Sequence, residues 1–184
     1  MSHDRSARKT DLKPPRIPRI QTSDQSQSLS KSQLGTESTG SLISNQANTI
    51  AISSTTLDNR DGTVSAQGRL NLSATQALTN TRGTVQAING DANLEVGQLD
   101  NDSSDAQIFA GGALNTQAQS DNNAGQIYAQ GAQQLSASGA FTNTGTIAAQ
   151  GDTTLQADSL SSSGTLAAGL NTQGQLGTDR KSTR

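Results

Sequence analysis

The residues best equipped for chemistry are three aspartates in the phrase LDNDSSDAQ: Asp100, Asp102 and Asp105. Carboxylates this close in sequence could share a calcium ion through their oxygens, or divide general-acid and nucleophile roles in glycoside cleavage. Each chemistry needs more than acids. An EF-hand loop requires a glycine inside it, and none stands among these aspartates. A lyase-like centre wants Lys or Arg beside the carboxylates to hold a developing oxyanion. From Leu57 onward the repeats described below contain only Arg60, Arg69 and Arg82, all upstream of this phrase. The stretch therefore reads as a solvated surface loop. No catalytic, cofactor-binding or metal residue is assigned.

Other candidates fall faster. Lys181 and Ser182 end like a phosphate loop, but that motif places glycines where Gln175 and Arg180 stand. His3 is the single histidine, and Pro15 and Pro18 have PxxP spacing in a stretch that reads as linker. The early basic residues lack the interleaved aromatics of a nucleic-acid groove, so neither nucleic acid nor a small-molecule substrate is expected. Cysteine is absent, which excludes disulfides and thiolate metal sites. No apolar run approaches the roughly 18 residues of a membrane helix. The opening MSHDRSARKTDLKPPRIPRI is basic with no apolar stretch after it, so it does not read as a secretory signal.

Any site must sit on a scaffold, and composition alone argues against an ordinary core. Leu, Ile, Val and Phe make up about 17% of the 184 residues, below the roughly 20% at which disorder becomes the default. Yet the formal net charge is only −2, whereas such disorder usually accompanies high net charge. Charge is also segregated. Residues 1–56 hold 7 basic and 4 acidic side chains, residues 57–177 hold 3 and 10, and residues 178–184 hold 3 and 1. The Pro-, Ser- and Gln-rich residues 1–41 read as a disordered basic arm, 42–56 as a degenerate first coil or cap, 57–177 as the folded body and 178–184 as a disordered tail.

The body is repetitive. LDNRDGTVSAQGRLNLSA from Leu57, LTNTRGTVQAINGDANLEV from Leu78, LDNDSSDAQIFAGGALNTQA from Leu99, SDNNAGQIYAQGAQQLSA from Ser120, FTNTGTIAAQGDTTLQA from Phe141 and LSSSGTLAAGLNTQGQL from Leu160 share one grammar. A branched residue recurs at Val64, Val85, Ile108, Ile127, Ile147 and Leu166, in steps of 21, 23, 19, 20 and 19. Alanine follows two residues later, and an asparagine precedes at Asn59, Asn80, Asn101, Asn122 and Asn143. Glycines at 62, 83, 125, 145 and 164 and again at 68, 90, 112, 131 and 151 punctuate each copy as turns. Apolar residues two apart with polar ones between mark strands with one buried face. Each copy thus reads as two short strands, and a 20-residue period without helical spacing predicts an all-β solenoid. A single lap buries too little to offset its ordering entropy, so laps must stack. Six laps at about 4.8 Å give a rod of roughly 25 to 30 Å. The recurring asparagine has two readings: an internal amide ladder, or tolerance of a left-handed turn conformation.

The phrase N-x-x-G-[TQ]-[VI]-x-A-x-G-x-L-x-L-x-A, most complete from Asn59 to Ala74, resembles the hemagglutinin repeat of filamentous hemagglutinin-type exoproteins. These are the two-partner secretion adhesins and contact-dependent inhibition proteins of Gram-negative bacteria. The resemblance spans residues 57 to about 176. It implies a right-handed parallel β-helix of about six coils, forming a shaft that presents binding or toxic modules away from the cell. It further implies a secreted or cell-surface location, an outer-membrane transporter as partner of the full-length protein, and a receptor on a host or neighbouring cell. It implies neither enzyme activity nor a cofactor. The family's signal peptide and secretion domain have no counterpart in this sequence, and the end, GTDRKSTR, matches no toxin.

Two other classes compete with the shaft: a carbohydrate-active or polysaccharide-binding β-helix, and a truncated remnant that is not exported. Thr79/Thr81 and Thr142/Thr144 are similar to the threonine pairs of ice-binding solenoids, but those need a pair on every coil and most copies here lack one.

Overall fold

The computed structural model describes residues 27–29, 41–44 and 49–175. Alternating apolar residues form extended chain throughout, giving fifteen strands and no helix among the described residues. Numbered in chain order, one sheet holds β1 (Gln27–Leu29), β3 (Thr49–Asp58), β5 (Arg69–Thr79), β7 (Ala92–Asn101), β9 (Leu114–Ala118), β10 (Ser120–Asn123), β12 (Gln133–Asn143) and β14 (Thr153–Ser162). The other holds β2 (Ser41–Ser44), β4 (Thr63–Ala66), β6 (Thr84–Ala87), β8 (Gln107–Ala110), β11 (Gln126–Ala129), β13 (Thr146–Ala149) and β15 (Thr165–Ala167). Every pairing is parallel and joins one lap to the next, so the chain is a β-solenoid of about six turns.

The register matches the sequence columns. Val64 lies against Val85, Val85 against Ile108, Ile108 against Ile127, Ile127 against Ile147, and Ile147 against Leu166. The alanines two residues on stack likewise, from Ala66 to Ala149. These columns, with Leu70, Leu72, Leu78, Leu94, Leu99, Leu114, Leu135 and Phe141, form one continuous buried core. Alanine in every lap keeps the interior thin, which is why an aromatic-poor composition suffices to fill it.

Each lap pairs a strand of three or four residues with a long strand, of ten or eleven residues where it is unbroken, in place of the two short strands expected. The long strands carry register shifts at Ser54/Thr56, Ala74/Ala77 and Ala137/Ala140, and in one lap the chain breaks outright at Gln119, between β9 and β10. A bulge bends a strand without ending its pairing, so the second bend of each lap needs no turn signature in the sequence.

Before the first full copy, β2 pairs with β4 and β3 with β5, which continues the stack into residues 42–56. Gln27–Leu29, inside the segment expected to be disordered, pairs with Ile50–Ile52. The rest of that arm, and the tail expected at 178–184, lie outside the described residues. At the carboxyl end Leu160 and Leu166 are 53% and 48% exposed, so the last lap leaves one side of its columns uncovered.

Candidate functional site

The recurring asparagines build the most regular polar structure in the molecule. Asn59 Nδ2 donates to Asn80 Oδ1 at 2.7 Å, Asn80 to Asn101 at 2.8 Å, Asn101 to Asn123 at 2.7 Å and Asn123 to Asn143 at 2.8 Å. Asn143 ends the chain of amides on the Ser162 hydroxyl at 3.1 Å. The second amide hydrogen of each goes to a backbone carbonyl of the following lap: Thr84, Gln107, Gln126, Thr146 and Thr165. All five asparagines are buried. An amide with both hydrogens donated gains interactions inside the protein that repay its removal from water. The ladder reading therefore holds and the left-handed turn reading does not. Among the described non-glycine residues, positive φ falls at Asp61 and Arg82, each two residues past a ladder asparagine.

One register expectation needs correction. The ladder member in the fourth copy is Asn123, with Asn122 lying beside Asp100 and Thr142 on the outward side. Correspondingly Asp121, not Ser120, aligns with Leu99 and Phe141 in the apolar column. The signal was present: Asn143 stands two residues before Gly145, and the same count from Gly125 selects Asn123. Asp121 is 3% exposed, and neither carboxylate oxygen has a hydrogen-bond partner. Burial, helped by the nearby Asp100, pushes its pKa up to about 7.

The three aspartates that opened the chemical question do not converge. Asp100 accepts from the Gln98 amide at 2.8 Å and is half-buried at the edge of β7, while Asp102 and Asp105 are exposed in the following turn. Among the described residues, no three His, Cys, Asp or Glu side chains are grouped to hold a metal ion. The three repeat arginines are committed elsewhere. Arg60 pairs with Asp58 at 3.4 Å, Arg69 with Asp91 at 3.1 Å, and Arg82 with both oxygens of Asp61 at 2.7 Å. The Arg82 guanidinium holds the Asp61 carboxyl below its usual range. Calcium or EDTA is accordingly expected to leave the thermal midpoint of the chain unchanged within 1 °C. A rise of several degrees with calcium, lost in Asp102→Ala, would establish a site in that turn.

Two outward features could touch a ligand. Asn71, Asn93 and Asn115 form a second, half-buried ladder, with Asn93 Nδ2 donating to Asn71 at 2.9 Å and Asn115 to Asn93 at 3.0 Å. They line a shallow groove with Ser53, Ser73, Glu95 and Gln117, in which Glu95 is the one ionisable group. A lone carboxylate does not make the acid and base pair of glycoside hydrolysis, and the other polar groups of the groove are amides and hydroxyls suited to hydrogen bonding. On the opposite sheet Phe109 and Tyr128 stack at 5.8 Å with planes 12° apart, and the Gln150 amide donates to the Tyr128 hydroxyl at 2.8 Å. Rings stacked between successive laps turn their faces to each other, which serves the stack more than a bound sugar. No protein-family model, curated protein or solved structure matches this chain.

Proposed function

We propose that the chain is a structural segment of the shaft of a secreted bacterial adhesive exoprotein, holding binding or effector modules away from the cell surface. The observation that carries this reading is the register. Laps repeat with like side chain over like side chain, and the repeated grammar is used on the interior ladder and columns. Such stacks are stabilised by neighbour interfaces, so their length can grow without redesign.

An in-register duplication of residues 57–177 tests the shaft directly. The maximum dimension from small-angle X-ray scattering should grow by about 30 Å, at about 4.8 Å per lap, and a binding module fused beyond it should reach correspondingly further from a tethered surface. Unchanged length would overturn the reading. Release of reducing ends from a polysaccharide, lost in Glu95→Gln or Asp102→Ala, would replace the shaft by the carbohydrate-active alternative. A signal sequence and a transporter gene in the flanking DNA would separate a shaft from an unexported remnant.

A further inference from the structure

Leu57, Leu78, Leu99 and Phe141 occupy one interior column that ends at the exposed Leu160, and Asp121 interrupts it with Leu99 below and Phe141 above. Among the described residues no donor reaches the carboxyl group at this position: it is 3% exposed, and both oxygens are unpartnered. The neighbours offer no cation. From β7 the Asp100 carboxylate raises the cost of a second negative charge. From β12 come Phe141 and Thr142, and the facing sheet presents Ile108, Ile127 and Ile147 to the same core, with no titratable group among them. The three arginines of the repeats are paired with Asp58, Asp91 and Asp61.

The same stretch is otherwise weakened. Thr116 stands where Leu94 and Leu135 flank it, and Gln133 stands over Leu114. Both are buried, and Thr116 Oγ1 and Gln133 Nε2 lack partners. Among the described residues only here does the long strand split, so Asp121 sits on the four-residue β10, two residues past the break at Gln119. A short strand beside a break has fewer pairing bonds to lose than the continuous long strands, which makes it the weakest place in the sheet to open.

We propose that Asp121 makes the lap of residues 113–125 a proton-controlled latch in the shaft, shut while its carboxyl carries a proton and released when that proton leaves. A neutral acid is tolerated among Leu99 and Phe141, whereas an ionised one without a partner is not. The direction follows from linkage. The folded carboxyl holds its proton to about pH 7, while an unfolded aspartate loses it near 3.9. Folded chains therefore bind more protons across that interval, stability falls as pH rises through it, and the loss is complete about one unit above the folded value. The released side chain reaches water beside Ser120, and the opened lap exposes the edges of β7 and β12 to strand addition.

Hydrogen exchange on the intact chain at pH 5 and pH 9, corrected for intrinsic rates, reads the latch. Protection of amides 114–123 relative to laps 63–87 is expected to fall at least tenfold in the native sequence and to stay constant in Asp121→Leu and Asp121→Asn. Asp121→Leu restores the column, so it folds even if the asparagine variant does not. The carboxyl carbon resonance of Asp121 should titrate above pH 6. An unchanged protection ratio in the native chain, the same fall in Asp121→Leu, or a titration midpoint below pH 5 would overturn the proposal.

Discussion

Replacing Gly145 by valine should cost more than about 4 kcal/mol and split the solenoid into a folded amino-terminal part and an unfolded carboxyl-terminal part. A Cβ at this position would overlap the Gly125 carbonyl oxygen and lie 2.6 Å from the Ala124 carbonyl carbon. Both obstacles are backbone, so no side chain can swing aside. The turn would have to lift from the one beneath, and that movement breaks the bonds from Thr146 N to Gly125 O and from Gly145 N to Asn123 O, at 2.8 and 3.1 Å. It would also part the amides of Asn123 and Asn143. Because each lap is held by its neighbours, the damage is directional. Amides beyond residue 140 should lose exchange protection while those of β5 to β8 keep it. Gly139→Ala is the control: its nearest contact would be the Gln119 carbonyl oxygen at 2.9 Å, a single atom in an irregular stretch, and its thermal midpoint should fall by only a few degrees. Equal effects of the two substitutions would show that turn stacking does not limit stability.

The glycine column also shows where reading the sequence succeeds and where it stops. The spacing of branched residues located every lap, because an inward column is a statement about side-chain type and period, and both are written in the sequence. Glycine was legible as a marker but not as a mechanism. Among the described residues, left-handed glycine backbone occurs at Gly169 and Gly174, beyond the last copy's turn, whereas Gly83, Gly125, Gly145 and Gly164 are required by the closeness of the carbonyl in the lap below. That closeness exists only after stacking. The bulges at Ala74/Ala77 and Ala137/Ala140 were hidden for a similar reason, since a bend within one continuous pairing uses ordinary residues.

The buried carboxylate was hidden by a count. Turns before the branched residue are one residue shorter in the later laps, so seven residues separate Leu57 from Val64 but six separate Phe141 from Ile147. Opening the fourth copy at Ser120, with Asn122 as its asparagine, hides that Asp121 aligns with Leu99 and Phe141. An acidic residue at an apolar column looks like an alignment error, and this one is a feature of the fold. Asp100, Asp102 and Asp105 show the opposite case. Their clustering in sequence suggested chemistry, but strand and turn geometry disperses them between the edge of β7 and an exposed loop.

The remaining large effect lies in the amide ladder. Asn101→Leu keeps the branched four-heavy-atom shape of the side chain and adds apolar surface to a buried position, so a purely hydrophobic account would set that gain against its larger volume and predict little net change. The hydrogen bonds predict otherwise. Asn101 accepts from Asn80 at 2.8 Å and donates to Asn123 at 2.7 Å and to the Gln126 carbonyl at 3.3 Å. Leucine leaves an Asn80 hydrogen, the Asn123 Oδ1 and the Gln126 carbonyl short of a partner in the interior, at about 1 to 3 kcal/mol for each strongly bonded group. The expected loss is about 3 to 5 kcal/mol. Ser162→Ala removes the terminal acceptor of the same ladder, but Ser162 is exposed and water can take its place on the Asn143 amide. That variant should lose less than about 1 kcal/mol. Chemical denaturation of both gives the comparison: a ladder that matters as a chain of buried bonds yields a large interior cost and a small terminal one. Equal small costs would mean that the asparagines merely fill space, and the alternation of donor and acceptor from lap to lap would then have no energetic role.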